Sequence, residues 1–174
     1  RHPPLTMTLF DTERAAGRSL VLALVVGTTG STSRKAGAWM PLAASGEREG
    51  LLSGGCLEAD LSERARRLLA SSARLDIANC DSRSSDDPIW GLGLGCEGLM
   101  RIALLRVDPD RNWEPLATLQ LLLRRRSGGA LALALRDTPP DLACGDCAVF
   151  DPEERGGRAT ATPVLHAARA SWLA

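Results

Sequence analysis

Residues 19–26, SLVLALVV, constrain the fold more than any other stretch of the 174-residue chain. Uncharged and dominated by Leu and Val, they read as a β-strand in the middle of a sheet, covered on both faces, rather than as an edge strand. The run is too short to span a bilayer, which takes about 20 apolar residues. Asp11 and Glu13 precede it and no convincing cleavage pattern follows, so it does not read as a signal peptide.

The segments around this strand supply what would cover it. Residues 5–16 read as a short helix that Gly17 ends. AWMPLAA (38–44) and GLLS (50–53) read as two strands around the polar turn SGERE, with Pro41 pushing the first toward an edge or a bulge. In the next segment Leu57, Leu61, Ala65 and Leu68 recur at helical spacing, while Asp60 with Arg64 and Glu63 with Arg67 form i,i+4 pairs on the wetter side. That is an amphipathic helix. LDIANC (75–80) and LMRIALLRV (99–107) are further strands. Pro115 suits position N1 of a helix striped by Leu116, Leu119 and Leu123, whose end carries Arg124 to Arg126 before Gly128 and Gly129. ALALAL (130–135) reads as a last strand. The expected fold is α/β: a mixed β-sheet with packed helices, as a single domain over residues 1–140, followed by an extension, 141–174, that the pattern does not place.

Apolar residues make up 44% of the chain and charged residues 24%, with 21 basic side chains against 21 acidic ones, so neither disorder nor a nucleic-acid footprint is indicated. Aromatics are 3% and Tyr is absent, which removes the stacking platforms of single-strand binders. Five cysteines, an odd number in a chain of ordinary composition, argue for a reducing, cytoplasmic setting rather than a disulfide scaffold.

Three segments combine glycine with charge or thiol. In SGGCLE, Gly54, Gly55 and Cys56 precede the amphipathic helix, whose first turn exposes unpaired N–H groups and the positive end of the macrodipole. An anion and a thiolate are both favoured there. In WGLGLGCEG, Gly91, Gly93 and Gly95 alternate and would let backbone approach a ligand closely before Cys96. In GTTGSTSRKAG, read as a loop over 27–37, the hydroxyls including Ser31, with Arg34 and Lys35, suit a phosphate, but the order of a P-loop is absent. Each segment taken alone also fits a plainer reading: a buried cysteine after a glycine turn, a glycine-kinked strand, a solvated loop.

Together, GTTGSTSRKAGAWM, GLLSGGCLEADLSERA and DDPIWGLGLGCEG resemble, in order and spacing, the motifs of the XdhC/CoxI family of accessory factors for xanthine dehydrogenase and related molybdenum hydroxylases. The resemblance covers roughly residues 5–107. It implies a protein that binds the molybdenum cofactor, as molybdopterin or its dinucleotide form, holds it while a cysteine desulfurase supplies the sulfido ligand, and delivers it to the hydroxylase large subunit. Homo-oligomerisation, no membrane and no nucleic acid go with that role. Carried onto this chain, the resemblance makes Cys56 and Cys96 the cofactor-facing thiols and candidate metal ligands. Glu58, Gly54, Gly55, Gly93 and Gly95 stand beside them, and Ser31, Arg34 and Lys35 are set for the phosphate.

Two departures stand out. Glu97 occupies a position that is commonly glycine in the family, and a carboxylate beside an anionic ligand repels it unless a cation intervenes. No GxGxxG fingerprint follows residue 140, so the chain reads as the family's N-terminal module without its Rossmann-like partner. Two other functional classes fit the same residues. One is a thiol-dependent enzyme with Cys56 as a helix-activated nucleophile, which lacks an interior histidine as base. The other is a nucleotide-binding regulatory domain. Cys80 reads as core, and Cys144 and Cys147 in CGDC as a turn with two free thiols, with zinc held by Cys144, Cys147 and His166 as the alternative.

Overall fold

The structure, a computed structural model, describes residues 7–32, 34–52, 56–81, 98–137 and 143–150. Packing divides the chain into two units, one spanning Thr8–Arg106 and the other formed by residues 1–7 and 107–174.

The first unit is built around a four-stranded sheet. Its strands are β1 (Leu20–Gly30), β2 (Trp39–Ala43), β3 (Leu75–Asp81) and β4 (Gly98–Val107), in the order β2-β1-β4-β3. SLVLALVV is therefore central, as its composition predicts, and β2 with Pro41 lies at an edge, where a missing backbone donor does least harm. β1 pairs antiparallel with β2 through Leu22↔Pro41 and Leu24↔Trp39, and β3 with β4 through Ala78↔Ile102 and Cys80↔Met100. Gly27 stands beside Arg101, and Gly98 beside Thr29 and Ser31, so β1 and β4 also run in opposite directions. The α/β class holds, with the sheet antiparallel throughout in place of the expected mixed directions. Parallel neighbours need a crossover. Here the helix between strands, α2 (Cys56–Ala70), links β2 to β3, the two opposite edges, and so joins no neighbouring pair.

The helical period of α2 decides which sheet face it covers. Leu57, Leu61, Ala65 and Leu68 are buried against Val21, Ala23 and Val25 of β1, Met40 and Leu42 of β2, and Ala78, Cys80, Met100, Ile102 and Leu104 of the other two strands. Each such Leu withdrawn from water contributes about 1.5–3 kcal/mol, which anchors the helix independently of its ion pairs. Those pairs lie outside: Arg64 Nε meets Asp60 at 2.9 Å and Arg64 Nη1 reaches Asp76 on β3 at 3.2 Å. Alternate residues of the strands, Leu20, Leu22, Ala103 and Leu105, are equally buried, so this part of the sheet is covered on both faces and its strands read as continuous apolar runs.

Helix α1 (Thr8–Ala15) buries Leu9 and Phe10, packs along β2 and stops at Gly17, which takes φ +67°. Its start is held from a distance, because the Glu49 carboxylate accepts hydrogen bonds from the N–H groups of Thr8 and Leu9 at 3.2 and 3.0 Å. At the far end of α2, Arg106 Nη1 donates to the carbonyls of Leu69 and Ser71, at 3.2 and 2.7 Å.

Two local expectations are corrected. β1 continues through Gly30 instead of giving way to loop at residue 27, because its position between β2 and β4 outweighs the loop-like composition of GTTG. Gly50, Leu51 and Leu52 form no strand; the chain makes an isolated bridge earlier, Leu42↔Arg48, and the N–H of Leu52 goes to a side chain instead of a ladder.

In the second unit, α3 (Leu116–Arg125) follows Pro115 and a single turn of 3-10 helix over Pro109–Arg111. Arg126 closes it in the left-handed conformation, ahead of the glycines expected to do so. β5 (Ala130–Leu133) pairs antiparallel with β6 (Cys147–Phe150), a strand within the stretch that the sequence pattern does not place.

Candidate functional site

Gly98, the last residue of the third glycine-bearing segment, meets the loop of the first at one end of the sheet in the first unit. β1 runs out at Gly30, the chain turns through Ser31–Ala38, and β2 starts back at Trp39. The turn is held by paired bonds between Val25 and Ala38 and between Gly37 and Val25, each 2.8 Å, with Gly37 at φ +92°. That leaves Ser31, Arg34 and Lys35 exposed at the rim. Thr32 Oγ1 donates to the carbonyl of Arg34 at 2.8 Å, which fixes the local course of the loop while leaving the cationic side chains pointing away from the core.

The start of β4 is pressed against this loop. A Cβ added at Gly98 would stand 2.5 Å from the Ser31 carbonyl oxygen, 2.6 Å from Thr32 Cγ2 and 2.8 Å from the Thr29 carbonyl oxygen. Only glycine fits. Gly98 is the last residue of the GLGLGCEG run, and this contact fixes it to the first segment.

The second segment joins through two hydrogen bonds. Arg34 Nε donates to the Leu51 carbonyl at 3.2 Å, drawing the SRKAG loop to the chain just before SGGC. Glu58, in the first turn of α2 and fully buried, accepts from the Leu52 N–H at 3.0 Å. A carboxylate in the first turn is favoured by the helix dipole, and the bond to a backbone N–H compensates its removal from water.

Among the residues expected at the site, Ser31, Arg34, Lys35 and Glu58 are therefore brought to the same end of the sheet, and Cys56 opens α2 there. Gly54, Gly55, Gly93, Gly95, Cys96 and Glu97, together with the side chain of Cys56, lie outside the described residues. Sequence reasoning passed over Gly98 and the Leu51–Leu52 backbone. Gly98 did carry a signal, a glycine directly before a strand, whereas the roles of Leu51 and Leu52 depend on partners far along the chain.

Residues 13–77 match the model of the XdhC and CoxI family. That matched stretch holds the SRKAG loop, SGGC and α2. The chain is also similar to a probable xanthine dehydrogenase component from Bacillus subtilis (strain 168), with 39% identity over 111 residues, which are 64% of this chain and 32% of that protein. A crystal structure of a xanthine dehydrogenase from Bacillus halodurans superposes with a TM-score of 0.62 at 28% identity, covering 84% of this chain and 42% of the other. The chain thus spans about a third of the length of the curated relative.

The remaining thiols differ from a reactive site in their surroundings. Burial pushes the Cys80 thiol up to about 11, with the Asp60 carboxylate adding to the effect. Cys80 faces the core, as expected. In the second unit, CGDC forms a turn with Gly145 at φ +89°. Cys144 N–H donates to Asp137 at 2.7 Å, and the buried Asp146 accepts from the Ala143 N–H at 2.9 Å. Burial pushes the Cys147 thiol up to about 12, and Cys144 is also raised, by burial and then by Asp137 and Asp146. His166 lies outside the described residues. Among the described residues, no three of His, Cys, Asp and Glu are grouped to hold a metal ion, and no helix is long and apolar enough to cross a membrane.

Proposed function

We propose that the chain is an accessory factor of a xanthine dehydrogenase-type molybdenum hydroxylase, carrying the molybdenum cofactor as cargo. The observation that supports this reading is the set of contacts at one end of the sheet that join the cationic loop to its neighbours, Gly98 on Ser31 and Arg34 on Leu51, with Glu58 on Leu52 beside them. The donor set suits the cargo. Arg34 and Lys35 offer fixed positive charge to the phosphate of the pterin, with backbone N–H groups at the start of α2 as further donors. The thiols of Cys56 and Cys96 are soft ligands of the type that suits a metal–dithiolene centre.

On this reading the protein performs no turnover of its own. Its residues hold the phosphate end, orient the metal end toward the two cysteines, and keep the cofactor out of water while a cysteine desulfurase delivers sulfur in the cytoplasm. The loaded factor, shielded by self-association, then docks on the hydroxylase large subunit. Whether the cargo is molybdopterin or its dinucleotide form, the same phosphate contacts serve.

The test is copurification. In a host that makes the cofactor, Cys56→Ala and Cys96→Ala are expected to lose most of the molybdenum and pterin that the parent retains. Equal retention by both variants sinks the reading. Stoichiometric inactivation of a reaction by a thiol reagent, with no pterin bound, would instead favour Cys56 as an enzymatic nucleophile.

A further inference from the structure

Glu58 is a buried acid that the packing of α2 does not require, since Leu57, Leu61, Ala65 and Leu68 already supply the core face. It reaches to Leu52, six residues away, at 3.0 Å and in a buried setting. Its bond therefore ties Leu52 to the first turn of α2. Leu52 is itself fully buried, so the tether has a fixed post at its other end. The adjoining Leu51 carbonyl receives Arg34, which links the same anchor to the cationic loop.

We propose that Glu58 is a positioning residue. It sets where α2 begins relative to Leu52 and, through the Leu51–Arg34 bond, relative to the SRKAG loop, without touching the cofactor. This rests on the reading of Cys56 as cofactor-facing. It assigns the acid in GGCLE to shaping the site, where proximity in the sequence alone would make it a ligand.

The two roles separate by substitution. A glutamine at position 58 keeps an oxygen that accepts the Leu52 N–H but discards the charge; alanine discards both. Amide hydrogen exchange of the full-length protein is expected to show Leu52 protected in the parent and in Glu58→Gln, and exchanging at least tenfold faster in Glu58→Ala. Molybdenum and pterin copurified per folded protein, measured at a temperature where circular dichroism shows all three folded, should be retained by Glu58→Gln and fall several-fold in Glu58→Ala. Loss of cofactor in Glu58→Gln with Leu52 still protected would overturn the proposal in favour of a direct ionic contact. An unprotected Leu52 amide in the parent would overturn it without any variant. If protection follows the expected pattern but Cys56→Ala retains cofactor as well as the parent, the cofactor-facing reading of Cys56 fails while the tether stands.

Discussion

Replacing Gly98 with alanine tests the meeting of the first and third segments at a single atom. The added methyl would lie 2.5 Å from the Ser31 carbonyl oxygen, about 0.9 Å inside the 3.4 Å at which ordinary contact begins, with Thr32 Cγ2 and the Thr29 carbonyl also too close. Two of these three neighbours are backbone, so no side-chain rotation relieves the clash; the strand start or the loop must move. Overpacking of this kind costs about 1–3 kcal/mol. In a unit of this size, each kcal/mol corresponds to roughly 4–8 °C in melting temperature. Gly98 does not occupy the left-handed region, so the penalty is steric and not conformational. Gly128 provides the control, because a Cβ there meets nothing within 4 Å. Gly128→Ala should be neutral or stabilising by up to about 1 kcal/mol, through its effect on the unfolded chain. Urea denaturation of the three proteins, with unchanged slope, measures both differences. If Gly98→Ala lies within about 0.5 kcal/mol of the parent, the close approach does not hold the two segments together and their convergence loses its firmest contact.

Arg34→Ala and Lys35→Ala change exposed side chains and should alter stability by less than about 0.5 kcal/mol, yet lower cofactor retention, as read by molybdenum analysis at matched protein concentration. Arg106→Ala removes the donor to the carbonyls at the end of α2 and should cost about 1 kcal/mol by denaturation, with cofactor retention unchanged. Cys80 should resist iodoacetamide at pH 8 in the folded protein and react once unfolded, by peptide mass spectrometry. Its raised folded value also sets a sign. The stability it lends is complete below the ordinary thiol value of about 8.5 and is lost as pH rises toward about 11, so Cys80→Ala should flatten the alkaline fall in stability.

Much of this fold is written locally. The Leu57–Leu61–Ala65–Leu68 stripe, the stop at Gly17 and the central SLVLALVV strand follow from period, backbone freedom and apolar content, each contained within a few neighbouring residues. What escaped the sequence depends on distant partners. Glu49 caps α1 from 40 residues away, and the N–H of Leu52, which a strand reading of GLLS would give to a ladder, is taken by Glu58. β1 keeps its strand geometry through GTTG because strands on both sides supply partners that local propensity does not register. The site shows the same division. Composition singled out the cationic loop and SGGC as separate segments, while the loop's meeting with β4 at Gly98 is a property of strand order, which no window of sequence contains.

The central claim is that this chain carries a molybdenum cofactor. Metal analysis together with pterin fluorescence on freshly purified protein, from cells that synthesise the cofactor, measures it directly. The expected result is molybdenum and pterin in equal amounts, approaching one per chain or per pair of chains, and both reduced together in Cys56→Ala and Cys96→Ala. Protein that is folded, purified under those conditions and free of both would contradict it.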